Sequence, residues 1–114
     1  MTFLPNPKDL PGCTLLPLPA EVDLCNALDL FFHTINVVED RTPRLRVLVL
    51  DLTRTDFIDS QGIRLVDDVR RRLRDRAELR VVADPDGMVH RLLELTGLRR
   101  DVPVYDNLAA AVRS

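Results

Sequence analysis

The chain of 114 residues is short of cysteine, lysine, glycine and aromatic side chains, and each shortage excludes something. Cys13 and Cys25 are too few for a disulfide scaffold and lack metal-site spacing. They read as small buried hydrophobes in a reducing compartment. His33 and His90 stand far apart, with no cysteine or carboxylate cluster at ligand spacing, so neither a metal nor another cofactor is expected. No nearly uncharged stretch approaches the ~18 residues of a membrane span. The N-terminus shows no basic region leading into an apolar block, the mark of a secretory signal. An excess of one charge is missing too: 16 basic residues meet 18 acidic ones, for a net −2, whereas phosphate-backbone binding needs net positive surface. The chain reads as cytoplasmic, with no nucleic acid as partner.

What is present suits a small folded domain. A length of 114 residues with 46% hydrophobic and 30% charged residues implies one domain with its own core. Residues 1–12 carry Pro5, Pro7, Pro11 and Gly12 and read as an irregular, proline-rich segment; the domain is expected over 13–114. Residues 13–18 form a short apolar run interrupted by Pro17, which predicts a strand at a sheet edge or a very short one. From Asp23 a helical pattern begins, with Leu24, Leu28, Phe31, Ile35 and Val38 expected on its buried face. The run 45–52 is nearly all apolar after Arg46, the look of a central strand covered on both faces.

A loop over 53–59 leads to a second helix, about 60–76, with Ile63, Val66, Val69, Leu73 and Ala77 inward. Its outer face alternates in sign, with Asp67–Arg71 and Asp68–Arg72 at four-residue spacing. The arginine run 70–76 is therefore expected to be a solvated face rather than a nucleic-acid site. Strands at 79–83 and 102–105 alternate with helices at 88–96 and 108–112, and Gly97 closes the third helix. The predicted fold class is α/β, with about four helices packed on a small, mostly parallel sheet.

In such folds function gathers where strand C-termini meet helix N-termini. Here that place is 51–62, holding Asp51, Asp56, Asp59, Ser60 and Gly62. Asp59 or Ser60 can cap the second helix by accepting an orphan N–H. Gly62 costs about 1 kcal/mol within a helix, and bare backbone beside Ser60 would let a kinase or docking partner approach closely. Phosphate on Ser60 would add roughly −1.5 to −2 charges at a helix N-terminus, which the helix dipole tolerates. The expected consequence is a switch of binding rather than of folding.

The stretch Phe57-Ile58-Asp59-Ser60-Gln61-Gly62-Ile63, preceded by Leu48-Val49-Leu50-Asp51-Leu52, resembles the central motif of STAS domains of the bacterial anti-sigma factor antagonist family. Three further stretches match that family in order and spacing: Ala20 to Asp23, Val89 to Leu98, and Val104-Tyr105 through the alanines at 109–111. Ala20 stands where the family usually has glycine, Gln61 where it often has Ser or Thr, and the proline-rich start departs from its first strand. The resemblance implies that Ser60 is the phosphoacceptor and that Asp23, Thr55, Asp56, Asp59, Ser60, Gln61, Gly62 and Arg64 meet the partner. That partner would be an anti-sigma factor with serine kinase activity. The unphosphorylated antagonist binds it and frees the sigma factor, and a PP2C-type phosphatase resets phosphorylated Ser60. The chain would not be an enzyme.

Other readings carry less. A phosphoaspartate receiver could use Asp51, but it needs paired acids after the first strand to hold Mg²⁺ and a late lysine, and Lys8 is the only lysine. A hydrolase would need a nucleophile elbow and a placed histidine. A STAS subunit regulating a transporter or signalling complex, with no sigma factor involved, is the alternative within the fold.

Overall fold

A computed structural model describes residues 4–113; residues 1–3 and 114, the outer ends of the two expected spans, lie outside the described residues. The strands are β1 (Lys8–Leu10), β2 (Cys13–Pro17), β3 (Glu21–Val22), β4 (Val47–Asp51), β5 (Phe57–Ile58), β6 (Glu78–Val82) and β7 (Val104–Tyr105). The helices are α1 (Ala27–Arg41), α2 (Ser60–Leu73), α3 (Met88–Leu95) and α4 (Leu108–Arg113), with a 3-10 turn at Leu98–Arg100. Five strands form one sheet in the order β1-β2-β4-β6-β7, and β3 pairs with β5 in a separate two-stranded ladder. The sheet is parallel except for β1, which runs antiparallel to β2. It is thus a mixed α/β sheet with four helices. No helix among the described residues is long and apolar enough to cross a membrane.

Alternation along the central strands sorts the two faces. Leu48 and Leu50 of β4 face the main core, with Leu30, Val37 and Val38 of α1, Leu65, Val66, Val69 and Leu73 of α2, and Val89 and Leu93 of α3. Val49 and Val82 point the other way, to a smaller cluster closed by Ala111 of α4. On that second face lies a buried arginine that its charge did not announce. The Arg80 guanidinium donates to the Ala111 carbonyl at 2.7 Å and to Glu78 at 2.9 Å, so a strand charge pins the last helix.

Several expectations need correction. The proline-rich start is not irregular throughout, and residues 13–18 are not the sheet edge, because β1 pairs outside β2. Pro11 and Gly12 join the two strands. Gly12 has φ 68°, and proline then glycine at the central positions is the type II turn pattern. Pro17 is tolerated because β1 pairs only with residues 13–15, so its missing N–H is not called on by the β1–β2 ladder.

The first helix begins at Ala27, not Asp23. The Asp23 carboxylate accepts the Cys25 N–H at 2.9 Å and the Asn26 side chain accepts the Asp23 N–H at 2.9 Å, folding 23–26 into a turn. The buried stripe is Leu30, Thr34, Ile35, Val37 and Val38, while Leu24 and Leu28 point to solvent. Cys13 is buried as expected, but Cys25 sits exposed on that turn. His33 is half-buried, its Nε2 2.6 Å from the Pro5 carbonyl. His90 is buried between Glu94 and Asp106. On α2 the Asp67–Arg71 pair forms at 3.0 Å. Asp68 instead reaches back to Arg64 at 3.8 Å, and Arg72 crosses to Glu39 of α1 at 3.9 Å.

Candidate functional site

The C-terminal end of β4 opens into a loop that is tied down on both sides. Asp51 turns back on Thr53, accepting from its N–H at 2.9 Å and its hydroxyl at 2.6 Å. Thr55 is buried and donates its hydroxyl to the Pro19 carbonyl at 2.8 Å. The Asp56 and Phe57 N–H groups both reach the Ala20 carbonyl, and the β3–β5 ladder then pairs Glu21 with Phe57 and Val22 with Ile58. Alanine at position 20 therefore supports the turn without a positive φ.

Asp59 follows that ladder and settles the capping question. Its Oδ1 accepts the Gln61 N–H at 2.9 Å and the Gly62 N–H at 3.0 Å, which makes it the N-cap of α2. Its Oδ2 accepts the Leu24 N–H at 3.0 Å, from the turn ahead of α1. One carboxylate thus joins the starts of two helices. Burial alone would raise the Asp59 carboxyl, but the N–H donors of Gly62, Leu24 and Gln61 outweigh it and hold the group below the ordinary carboxylate value. Ser60, next in the chain, is the first residue of α2; it is exposed and takes no part in the cap.

Around Ser60 stand Glu21 and Asp56, both exposed, and Asp23 and Asp59, both half-buried. Two exposed cations accompany these acids: Arg54 in the loop, and Arg64 on α2, which is 3.8 Å from Asp68. Two expected contact residues turn inward instead. Thr55 is consumed by its tie to Pro19. Gly62 is buried, and a Cβ there would stand 2.5 Å from the Val22 carbonyl and overlap Ile58. The glycine admits the protein's own backbone, not a visitor's.

Asp23, Asp56, Asp59, Ser60, Gln61 and Arg64 do gather at one end of α2. Sequence reasoning missed what lies beside them. Leu24, Leu28 and Phe32 are 73%, 66% and 56% exposed, and a groove of about 320 Å³ runs between α1 and α2, lined in part by Leu28, Phe31, Gln61 and Arg64. Spacing by fours was the available signal, but it pointed to the buried face. Among the described residues no three histidine, cysteine or carboxylate groups gather to hold a metal ion.

The site is the start of a helix in an α/β domain, capped by Asp59 and presenting an exposed serine in its first turn. A family model for the STAS domain matches residues 5–111. The chain belongs to the STAS domain family. It is 33% identical over 60 residues to the anti-sigma F factor antagonist of Paenibacillus polymyxa, a match covering 53% of this chain and 51% of that protein. The chain thus spans about half the length of that curated relative. In structure it is similar to an anti-sigma factor antagonist from Mycobacterium paratuberculosis, with a TM-score of 0.83 and 28% identity over 95% of this chain and 89% of that one. The same fold recurs in murine Solute Carrier 26 family member A9, an anion transporter, with a TM-score of 0.77 and 15% identity over 92% of this chain and 18% of that one.

Proposed function

We propose that this chain is a cytoplasmic anti-sigma factor antagonist whose unphosphorylated form binds an anti-sigma factor with serine kinase activity and so frees the sigma factor. Two relatives bear the antagonist name. The observation that carries the reading is the division of work between Asp59 and Ser60. A serine at a helix start is ordinarily there to cap. Here Asp59 caps, and the Ser60 hydroxyl is left exposed at the positive end of α2.

That exposure leaves the Ser60 hydroxyl open to modification. The kinase transfers the γ-phosphoryl of ATP to Ser60 Oγ: the new O–P bond forms, the bond to the β-phosphate oxygen breaks, and the hydroxyl proton passes to a base of the kinase. ADP then faces a phosphoserine carrying roughly −1.5 to −2 charges, backed by Asp56 and Asp59. Like charges across a close interface oppose rebinding. A PP2C-type phosphatase restores the hydroxyl and the affinity.

The test is intact mass after incubation with purified anti-sigma serine kinases and ATP. One phosphate is expected on the wild type and none on Ser60→Ala, with Ser60→Asp losing binding that Ser60→Ala keeps. Equal affinity of the two variants refutes the switch.

A further inference from the structure

We propose that the Leu24–Leu28–Phe32 stripe, with the groove between α1 and α2, is the apolar half of the surface on which the Ser60-directed kinase docks, and that it receives apolar side chains of that kinase. This rests on the reading of Ser60 given above.

The first argument is geometric. Leu28 and Phe32 stand four residues apart on α1, so their exposed side chains share one face of the helix, and exposed Leu24 lies on the turn just ahead of it. Scattered surface leucines need no explanation; a contiguous apolar line beside a groove does. The line is also rigidly related to Ser60. Asp59 holds the Leu24 N–H with one carboxylate oxygen while the other caps the helix that Ser60 begins. Phe32 is oriented by an edge contact with Phe31 at 5.6 Å, and Phe31 packs against the core. Such a held aromatic is the kind of side chain that anchors interfaces.

The second argument is one of area. A stable interface covers ~800 Å² on each partner, about 20–30 residues. The Ser60 loop alone cannot supply that, because over 53–60 its exposed residues are Thr53, Arg54, Asp56, Phe57 and Ser60. A kinase that reaches Ser60 Oγ must also cover the neighbouring turns of α2, where Gln61 and Arg64 line the groove against Leu28. The surface therefore has an acidic half at Glu21, Asp23, Asp56 and Asp59 and an apolar half along α1, in keeping with a dry interface centre bordered by polar groups. Phosphate on Ser60 changes the acidic half and leaves the apolar half as it was.

Leu28→Gln and Phe32→Gln test this without changing charge, at positions whose exposure spares the core. Against the purified anti-sigma serine kinase that modifies Ser60, the double variant is expected to bind about 30-fold more weakly by calorimetry. Its phosphorylation should show a raised KM with kcat retained, since the stripe lies away from the transferred group. Affinity within about threefold of wild type, while wild type is still modified at Ser60, overturns the stripe and leaves the switch standing. A wild type that no such kinase modifies overturns both. Light scattering closes the remaining route: a wild-type mass of twice 13.0 kDa that the double variant halves would assign the stripe to a second copy of the chain and overturn the proposal.

Discussion

Gly62→Ala sets two physical effects against each other, and the structure decides the sign. In a helix, alanine is favoured over glycine by about 1 kcal/mol, so propensity alone predicts a more stable protein. Packing predicts the reverse. The added methyl would lie 2.5 Å from the Val22 carbonyl oxygen and overlap Ile58 Cγ1, with Ile58 Cδ1 at 3.1 Å. Ordinary contact begins near 3.4 Å, so something must move by about 1 Å. Ile58 is core, and the Val22 carbonyl accepts the Asp59 N–H inside the β3–β5 ladder.

Neither neighbour is the loose end of a flexible side chain, which puts the overpacking at about 3 kcal/mol, the upper part of its usual range. The net loss is about 2 kcal/mol after the gain in propensity. For a domain of 114 residues this corresponds to a fall in Tm of roughly 8 °C. Thermal denaturation by circular dichroism reads the fall. Hydrogen exchange at the Leu24 and Gln61 amides should quicken in the same variant, because α2 can escape the clash only by drawing Asp59 away from them. A Tm raised by a few degrees, with those amides unchanged, would mean that Gly62 is not packed as described and that its bareness serves an approaching partner.

Two further outcomes are expected. Ser60→Asp should leave Tm within about 4 °C of wild type, since Ser60 makes no cap contact and a negative charge is favoured in the first turn; a collapse of the fold would contradict that placement. Acid should loosen the molecule through two carboxyls held below the ordinary value of 3.8: Asp9, chiefly by hydrogen bonds from Arg41 and Thr14, and Asp59, where burial is outweighed by backbone N–H donors. A depressed carboxyl stabilises above its unfolded value and loses that contribution as pH falls through its folded value, so Tm should drop between about pH 5 and pH 3. Asp59→Asn should reduce the drop and quicken Leu24 exchange selectively when its Oδ1 keeps the cap; an unchanged pH profile would argue against the Leu24 link.

The parts of the fold legible in the sequence were those where one pattern had one cause. The run 45–52 read as a covered central strand because Leu48 and Leu50 serve one face while Val49 serves the other. The α1 stripe was misread because two four-residue patterns overlap there. Leu24 and Leu28 continue one of them, but the Asp23–Asn26 turn delays the helix and Leu30, Thr34 and Val38 take the core. Strands β3 and β5 have two residues each, too few to show a period, and the Pro11–Gly12 hairpin hid inside what looked like plain loop. At the site, the adjacency of Asp59 and Ser60 was visible, whereas the bond from Asp59 to Leu24 spans 35 positions and exists only through the β3–β5 ladder. Gly62 stands out in the sequence, but the neighbour that needs its space is the Val22 backbone: a sequence shows that a side chain is missing, not which backbone needs the space.

The division between Asp59 and Ser60 would also let the proposed switch sit on a structural joint without endangering it. Were Ser60 the cap, phosphate on its oxygen would have to take over the α2 N–H groups or abandon them, and each modification would act on stability as well as on binding. Because Asp59 holds the Leu24, Gln61 and Gly62 N–H groups at 2.9 to 3.0 Å, the proposed modification adds charge beside a joint already closed. A phosphate on Ser60 would adjoin that carboxylate, so the repulsion would fall on a group whose N–H donors already favour its charged form. Under the proposed function the fold would be insulated from the charge that the partner would feel, because Asp59, rather than Ser60, carries the structure.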